Sequence, residues 1–418
     1  MLTALKGNIL EALSPDTLGV HPHSYLVLED GVVVGICPVL PENMSEAKVE
    51  DFGEALILQS FADMHLHAPQ YEYMGTGMDR PLLQWLETYA FPTEAKYADP
   101  VYAREMYRTL AQDLIRNGTT RVSMFSSLHT DSTLVLMEEL EKAGVTGYVG
   151  KVNMDRNAPP YLCETTEESE KETLRWLEEC KRFTLVKPIL TPRFAPSCSP
   201  ELLSFLGKLK AERDMPVQSH LSENTGEIAL VAQLFPDCRQ YWEVYDKYGL
   251  FDSKTLMAHC VHSDRRERAA MRMRGVHPVH CASSNNSLMS GISPMADMLR
   301  ERQAVCLGSD VSGGTTLSML RTMANSINAS KDRGSMKQDF NQAITIEQAY
   351  FMATGAGQAF LGRGRGFAEG EPLHAVVLDD TMLPNINSLT LRERLLRAAY
   401  RLDDRHIRAV YSEGVRRL

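Results

Sequence analysis

From about residue 55 to residue 310 the chain repeats one pattern, a short apolar run followed by a segment with helical period. The segments that read as strands include Thr119–Phe125, Gly147–Met154, Val186–Thr191, Pro216–His220, Thr255–Cys260, Val276–Cys281 and Ala304–Asp310. The segments between them carry helix signals: Gly118 and Gly144 as stops, and Thr165-x-x-Glu168 as a capping box. Counting a first strand at 55–64, there are eight strand–helix units. Eight such units predict an α/β fold, a closed (β/α)8 TIM barrel with its helices outside.

The flanks read differently. Tyr25–Leu28 and Val32–Ile36 are joined through Asp30-Gly31, a hairpin signal, and a third strand is expected near Lys48–Phe52. Near the other end, Ala375–Asp379 and His406–Tyr411 read as strands. Two terminal β pieces around a barrel predict a small discontinuous β-sandwich domain, 1–58 with 368–418, beside a barrel domain of 59–367. The 418 residues suffice for both.

Chemistry is expected at the C-terminal ends of barrel strands. The first of these reads Phe61-Ala62-Asp63-Met64-His65-Leu66-His67, after an apolar run Ala55–Leu58 taken as the strand's entry. Residues i and i+2 of a strand share a face, so His65 and His67 present two imidazoles side by side. Such a pair suits a metal but needs further ligands. His21-Pro22-His23 has the same spacing, yet its proline and its place ahead of any clear strand argue against metal binding. Reading the other strand ends gives Arg193-Phe194, His220 with Glu223 three residues on, His259, His280 and Asp310. One histidine at a strand end is ordinarily satisfied locally. Several converging on one rim point to a metal site.

Other function classes recede. A net charge of −10 argues against a nucleic-acid binder, and no apolar run approaches a membrane span. The eight cysteines form no Cys-x-x-Cys pair, which excludes a zinc ribbon and the small cytidine-deaminase type of zinc site. Free thiols and the absence of a signal pattern at the N-terminus predict a cytoplasmic protein.

The segments Phe61–His67, Gln218–Glu223, Ala258-His259-Cys260 and Leu307–Asp310 resemble the signatures of the amidohydrolase superfamily. Within it, His67–Tyr71, Pro81–Leu86, Phe91–Glu94, Thr191–Phe194 and Ser222–Asn224 resemble the guanine deaminases. The resemblance implies one zinc, or alternatively iron, held by His65, His67, His220 and Asp310. It implies that Asp310 takes the proton released as water is activated, that His259 hydrogen-bonds that water, and that Glu223 shuttles protons to the ring nitrogen and the leaving amine, turning guanine into xanthine. It also suggests a homodimer acting on a small purine. Arg193, with only donors to offer, suits the carbonyl of guanine rather than the amino group of adenine. Gln70, donor and acceptor together, suits a mixed ring edge, Phe194 suits the purine face, and His220 and Glu223 border the same substrate site. Where the superfamily reads His-Cys-Pro-Asn-Ser-Asn, this chain has His280-Cys281-Ala282-Ser283-Ser284-Asn285. Competing expectations are a deaminase of another ring, such as 8-oxoguanine or isoxanthopterin, and a non-catalytic scaffold, against which stands the full set of ligands.

Overall fold

The computed structural model describes residues 1–339, 341 and 343–418. Among them, eight strands form two four-stranded parallel sheets. One runs Phe61–His67, Thr119–Phe125, Thr146–Gly150, Val186–Pro188; the other Val217–Leu221, Thr255–His259, His277–His280, Cys306–Leu307. Every residue of Phe61–His67 and Thr119–Phe125 is buried, as expected for parallel strands covered on both faces. Backbone hydrogen bonds link the sheets at both edges. Leu190 N–H donates to Pro216 O and Gln218 N–H to Leu190 O at one; Asp310 N–H donates to His65 O (2.8 Å) and His67 N–H to Val311 O (2.9 Å) at the other.

The helices begin where their caps dictate. Asp99 caps Pro100–Arg116 through Val101 N–H, and the expected capping box of Thr165 and Glu168 opens Thr166–Glu179. Gly144, with φ 80°, ends Thr130–Ala143. Their apolar faces, with Leu110, Leu114, Trp176 and Leu206, pack on the strands in one continuous core.

The last strand is shorter than the expected Ala304–Asp310, because the chain leaves the ladder at Gly308 to deliver Asp310. A side chain at 308 would meet His65 Cβ at 2.8 Å, so only glycine permits this approach to the first strand. Gly147–Met154 likewise splits into Thr146–Gly150 and Val152–Asn153, the second piece pairing with Thr191–Pro192.

The terminal segments do combine, but the expected sandwich is hydrogen-bonded as a single seven-stranded sheet. Its order is Val415–Arg416, Ile407–Ser412, Ala375–Leu378, Lys48–Gln59, Leu2–Ser14, Thr17–Glu29, Val32–Cys37. Ala55–Leu58, read above as the entry to the metal strand, belongs to this sheet instead, where Leu56 to Gln59 pair with Ala375–Leu378. Its unbroken apolarity has a simple cause. Ala55 and Ile57 face the small domain's core while Leu56 and Leu58 face the large one, so both faces are buried. His21-Pro22-His23 lies within a strand rather than ahead of one. The ladder skips Pro22 and His23 at an irregularity, and His21 Nε2 meets Glu11 Oε1 at 2.9 Å.

Helix Leu391–Arg401, absent from the expectations above, is tied to the small sheet by a buried ion pair. Arg394 Nε donates to Asp380 Oδ2 (2.8 Å), and its terminal nitrogen donates to Asp380 Oδ1 and to Glu54 O. Arg394→Met is expected to lower unfolding free energy in urea by about 3–5 kcal/mol, because it leaves the Asp380 carboxylate buried without its partner. A loss below about 1 kcal/mol, the usual worth of a solvated pair, contradicts this reading. Among the described residues, no helix is long and apolar enough to cross a membrane.

Candidate active site

His65 and His67 leave the same strand on the same face, as their spacing predicted, and His220 and Asp310 come to meet them from strands far along the chain. His67 Nε2 lies 3.2 Å from His220 Nε2, and Asp310 Oδ1 lies 3.2 Å from His65 Nε2 and 3.5 Å from His67 Nε2. The ligand atoms of the three histidines all fall within 4.8 Å of one another. The Phe125 ring packs against all three imidazoles, with centroids 4.7–5.0 Å away.

The tautomers are set from behind. His220 Nδ1–H donates to the Arg193 carbonyl, which turns the Nε2 lone pair toward the cluster. Tyr245 Oη–H fixes the same strand by donating to His220 O at 2.8 Å. His65 Nε2 is buried and finds no hydrogen-bond partner among the described residues. Three inward nitrogens and a carboxylate, one nitrogen orphaned away from water, are what a divalent ion with a taste for imidazole requires. The donor set therefore fits the metal that the sequence implied.

Electrostatics agree. Burial works against the charged form of Asp310, but His65 and His259 outweigh it and hold the carboxyl well below its ordinary range. Burial pushes His67 and His220 down, keeping the imidazoles neutral as ligands must be. His259 goes the other way. Burial lowers it, yet the carboxylates of Glu223 and Asp310 prevail and raise it. Its Nε2 lies 3.6 Å from Glu223 Oε2 and 3.8 Å from Asp310 Oδ2, between the two carboxylates, and its ring also forms a second close group with His65 and Cys281. Burial raises Glu223, which favours its protonated form.

Asp310 (φ 49°), His259 (φ 70°) and Ser222 (φ 49°) all adopt the left-handed backbone region, rare for such residues and concentrated where strand ends are bent into a site.

A cavity of about 230 Å³ opens above the cluster. Gln70, Arg193, Phe194, His220, Glu223, His259 and Asp310 all line it, so every expected substrate-binding and catalytic residue faces one space. His280 does not line it; burial pushes its imidazole down to about 3. The connection after His67 is a run of short helical turns: Ala68–Tyr73, Leu82–Trp85, Leu86–Ala90 and Phe91–Lys96. Trp85, Leu86 and Phe91 cover the cavity.

Sequence reasoning named Asn285 only as part of a motif and gave Ser290 no place. Asn285 Oδ1 accepts from His259 Nδ1–H (2.9 Å), and its amide donates to Ser293, whose hydroxyl donates to His259 O. Asn285 O also accepts the backbone N–H of Ser290, whose hydroxyl donates to Glu223 Oε1 (3.2 Å). Helix Ala282–Ser287, not expected from the sequence, is thus the floor that holds both His259 and Glu223. The departure from the superfamily motif at Ala282-Ser283-Ser284 falls within that helix. Glu94, another motif residue without an expected role, is buried beside Arg193 and Gln70.

Comparison with known proteins agrees with this geometry. The Amidohydrolase family matches residues 56–415. A guanine deaminase of Dictyostelium discoideum is 33% identical over 99% of this chain and 98% of its own, and one of Rattus norvegicus is 36% identical over 85% and 82%. The crystal structure of guanine deaminase from C. acetobutylicum, with guanine bound in its active site, superposes with a TM-score of 0.96 at 42% identity, covering 100% of both chains. The chain thus has a fold of TIM-barrel type and belongs to the amidohydrolase family, alongside the guanine deaminases that it resembles over its length.

Proposed function

We propose that this chain is a guanine deaminase, hydrolysing guanine to xanthine and ammonia. The observation that carries the reading is one cavity with a three-histidine cluster, Asp310 beside it and Glu223 and His259 at its base, and a buried arginine–amide array on its wall. In this reading residues 59–367 form a closed eight-stranded barrel and 1–58 with 368–418 the small domain; the edge hydrogen bonds support the closure. The assembly is a cytoplasmic homodimer acting on a small purine.

His65, His67, His220 and Asp310 hold the ion, zinc by donor set, with iron as the alternative. When bound, it makes water a nucleophile at neutral pH. The oxygen adds to the ring carbon that bears the amino group, and the carbon–nitrogen bond to that group breaks. Both water protons are accounted for: one ends on the adjacent ring nitrogen and one on the departing amine. Asp310, held ionised, accepts a proton at its carboxylate. Glu223, 3.6 Å from His259 Nε2, carries protons from the water side to the ring nitrogen and then to the amine. His259, whose proton affinity Glu223 and Asp310 raise against burial, donates from Nε2 to the negative charge that develops on the attacking oxygen. Arg193 meets the ring carbonyl, Gln70 the neighbouring edge, and Phe194 the ring face.

The test is ammonia release by zinc-reconstituted protein from guanine, 8-oxoguanine and isoxanthopterin in parallel. Guanine is expected to give the highest kcat/KM. A higher value on the oxidised purine or the pterin moves the substrate assignment, and no turnover of any ring returns the chain to the scaffold reading.

A further inference from the structure

We propose that Glu94 is a specificity-determining positioning residue. It locks Arg193 and Gln70 into one array that reads an oxygen, and not an amino group, on the six-membered ring. The inference rests on the guanine reading above and gives a role to a residue that the segment Phe91–Glu94 left without one.

Glu94 is 1% exposed and comes from helix Phe91–Lys96, ninety-nine residues from Arg193. Its Oε2 accepts from one terminal nitrogen of Arg193 (2.5 Å) and its Oε1 from the other (2.9 Å), a bidentate pair. Oε1 also accepts from Gln70 Nε2 at 2.8 Å. Gln70 Oε1 in turn accepts the backbone N–H of Ser312 at 3.2 Å, two residues past Asp310. The amide of Gln70 is therefore read from both ends. Its NH2 must face Glu94 and its oxygen must face Ser312, so it cannot flip to suit a different ring.

The same carboxylate disciplines Arg193. A guanidinium has five N–H groups, and the bidentate pair takes one on each terminal nitrogen. The remaining hydrogens, fixed in plane, are what a ligand in the cavity meets. The Phe91 ring, 5.5 Å beneath the guanidinium carbon, holds that plane from one side. An arginine 5% exposed and close to a metal cluster is tenable only with its charge matched. Without Glu94 it would turn toward Asp310 or Glu223, the other carboxylates of the cavity. Donors held rigid and neutralised from behind accept a carbonyl and reject an amino group, which would leave buried donors facing donors. Glu94 itself need not touch the ring. It acts through Arg193 and Gln70, and it brings the cavity's cover into the same contact.

The experiment compares wild type, E94Q, R193K and E94Q/R193K on guanine and on 2,6-diaminopurine, which carries an amino group where guanine has its carbonyl. E94Q is expected to retain its metal, to keep kcat for guanine within about threefold, and to raise KM by about tenfold or more. Its preference for guanine over the diamino ring should fall by at least about tenfold. The double variant should cost no more than R193K alone, because the two residues act as a unit. Equal losses on both rings, or a fall in kcat at constant KM, overturn the proposal, since a merely structural carboxylate would produce either. A second measurement stands even if E94Q does not fold. In wild-type crystals grown with guanine, Glu94 should keep both partners, and a carboxylate turned onto the ring instead overturns the positioning role. Wild type inactive on guanine overturns both this inference and the parent reading; active wild type with unaltered selectivity in E94Q overturns this one alone.

Discussion

Replacement of Glu223 by Gln is expected to lower kcat for guanine by about 10²–10⁴-fold, the span associated with a positioned general acid–base, while metal content stays at the wild-type level. The two halves of that expectation come from different observations. Glu223 lies off the cluster: its contacts are Ser290 Oγ–H at 3.2 Å and His259 Nε2 at 3.6 Å, not the three ligand nitrogens. A glutamine of the same shape keeps the Ser290 hydrogen bond and fills the same space. It cannot carry a proton. Burial raises the Glu223 carboxyl, so the native residue is readily protonated when the ring nitrogen needs a proton, and no amide reproduces that cycle. Metal analysis and steady-state kinetics on one preparation decide the matter. Full activity in the variant would remove Glu223 from proton transfer; loss of the metal would make it a ligand after all.

Withdrawal of the metal has a comparably large expected effect. Dialysis against a strong chelator should abolish ammonia release, and zinc should restore it. The readout beyond activity is stability. An ion present at about a hundred times its dissociation constant stabilises the native state by about 2.7 kcal/mol, so the melting midpoint should fall on chelation and recover on addition. Three buried imidazoles and an ionised Asp310, crowded so that His67 Nε2 meets His220 Nε2 at 3.2 Å and Asp310 Oδ1 lies 3.2 and 3.5 Å from His65 and His67, supply the physical basis. Undiminished turnover in protein freed of metal would exclude the cluster from the mechanism.

Much of the site was legible because its residues announce themselves one strand end at a time. His65, His67, His220, His259 and Asp310 each lie at the end of a segment that reads as a strand, and a repeating strand–helix pattern says where such segments end. The residues that were not legible act at a distance. Glu94 is one more acidic residue on a short helix until Arg193, ninety-nine positions later, folds against it. Asn285 and Ser290 gain their meaning only when a short helix and the loop after it bring them under His259 and Glu223. The misassigned run Ala55–Leu58 failed for a local reason. Four apolar residues buried on both faces look alike whether they serve a parallel sheet or divide two cores. Leu391–Arg401 escaped notice although Thr390 and Glu393 form a capping box, the same signal that revealed Thr166–Glu179.

The edge where Asp310 N–H meets His65 O has a bearing on how the enzyme is made. Its two sides are separated by most of the polypeptide, so a growing chain on the ribosome holds the paired imidazoles long before the carboxylate that completes them has been synthesised. The carboxylate therefore joins the imidazoles only once the last strand of the barrel sheets has docked, so completion of the donor set and closure of that sheet edge are one and the same contact.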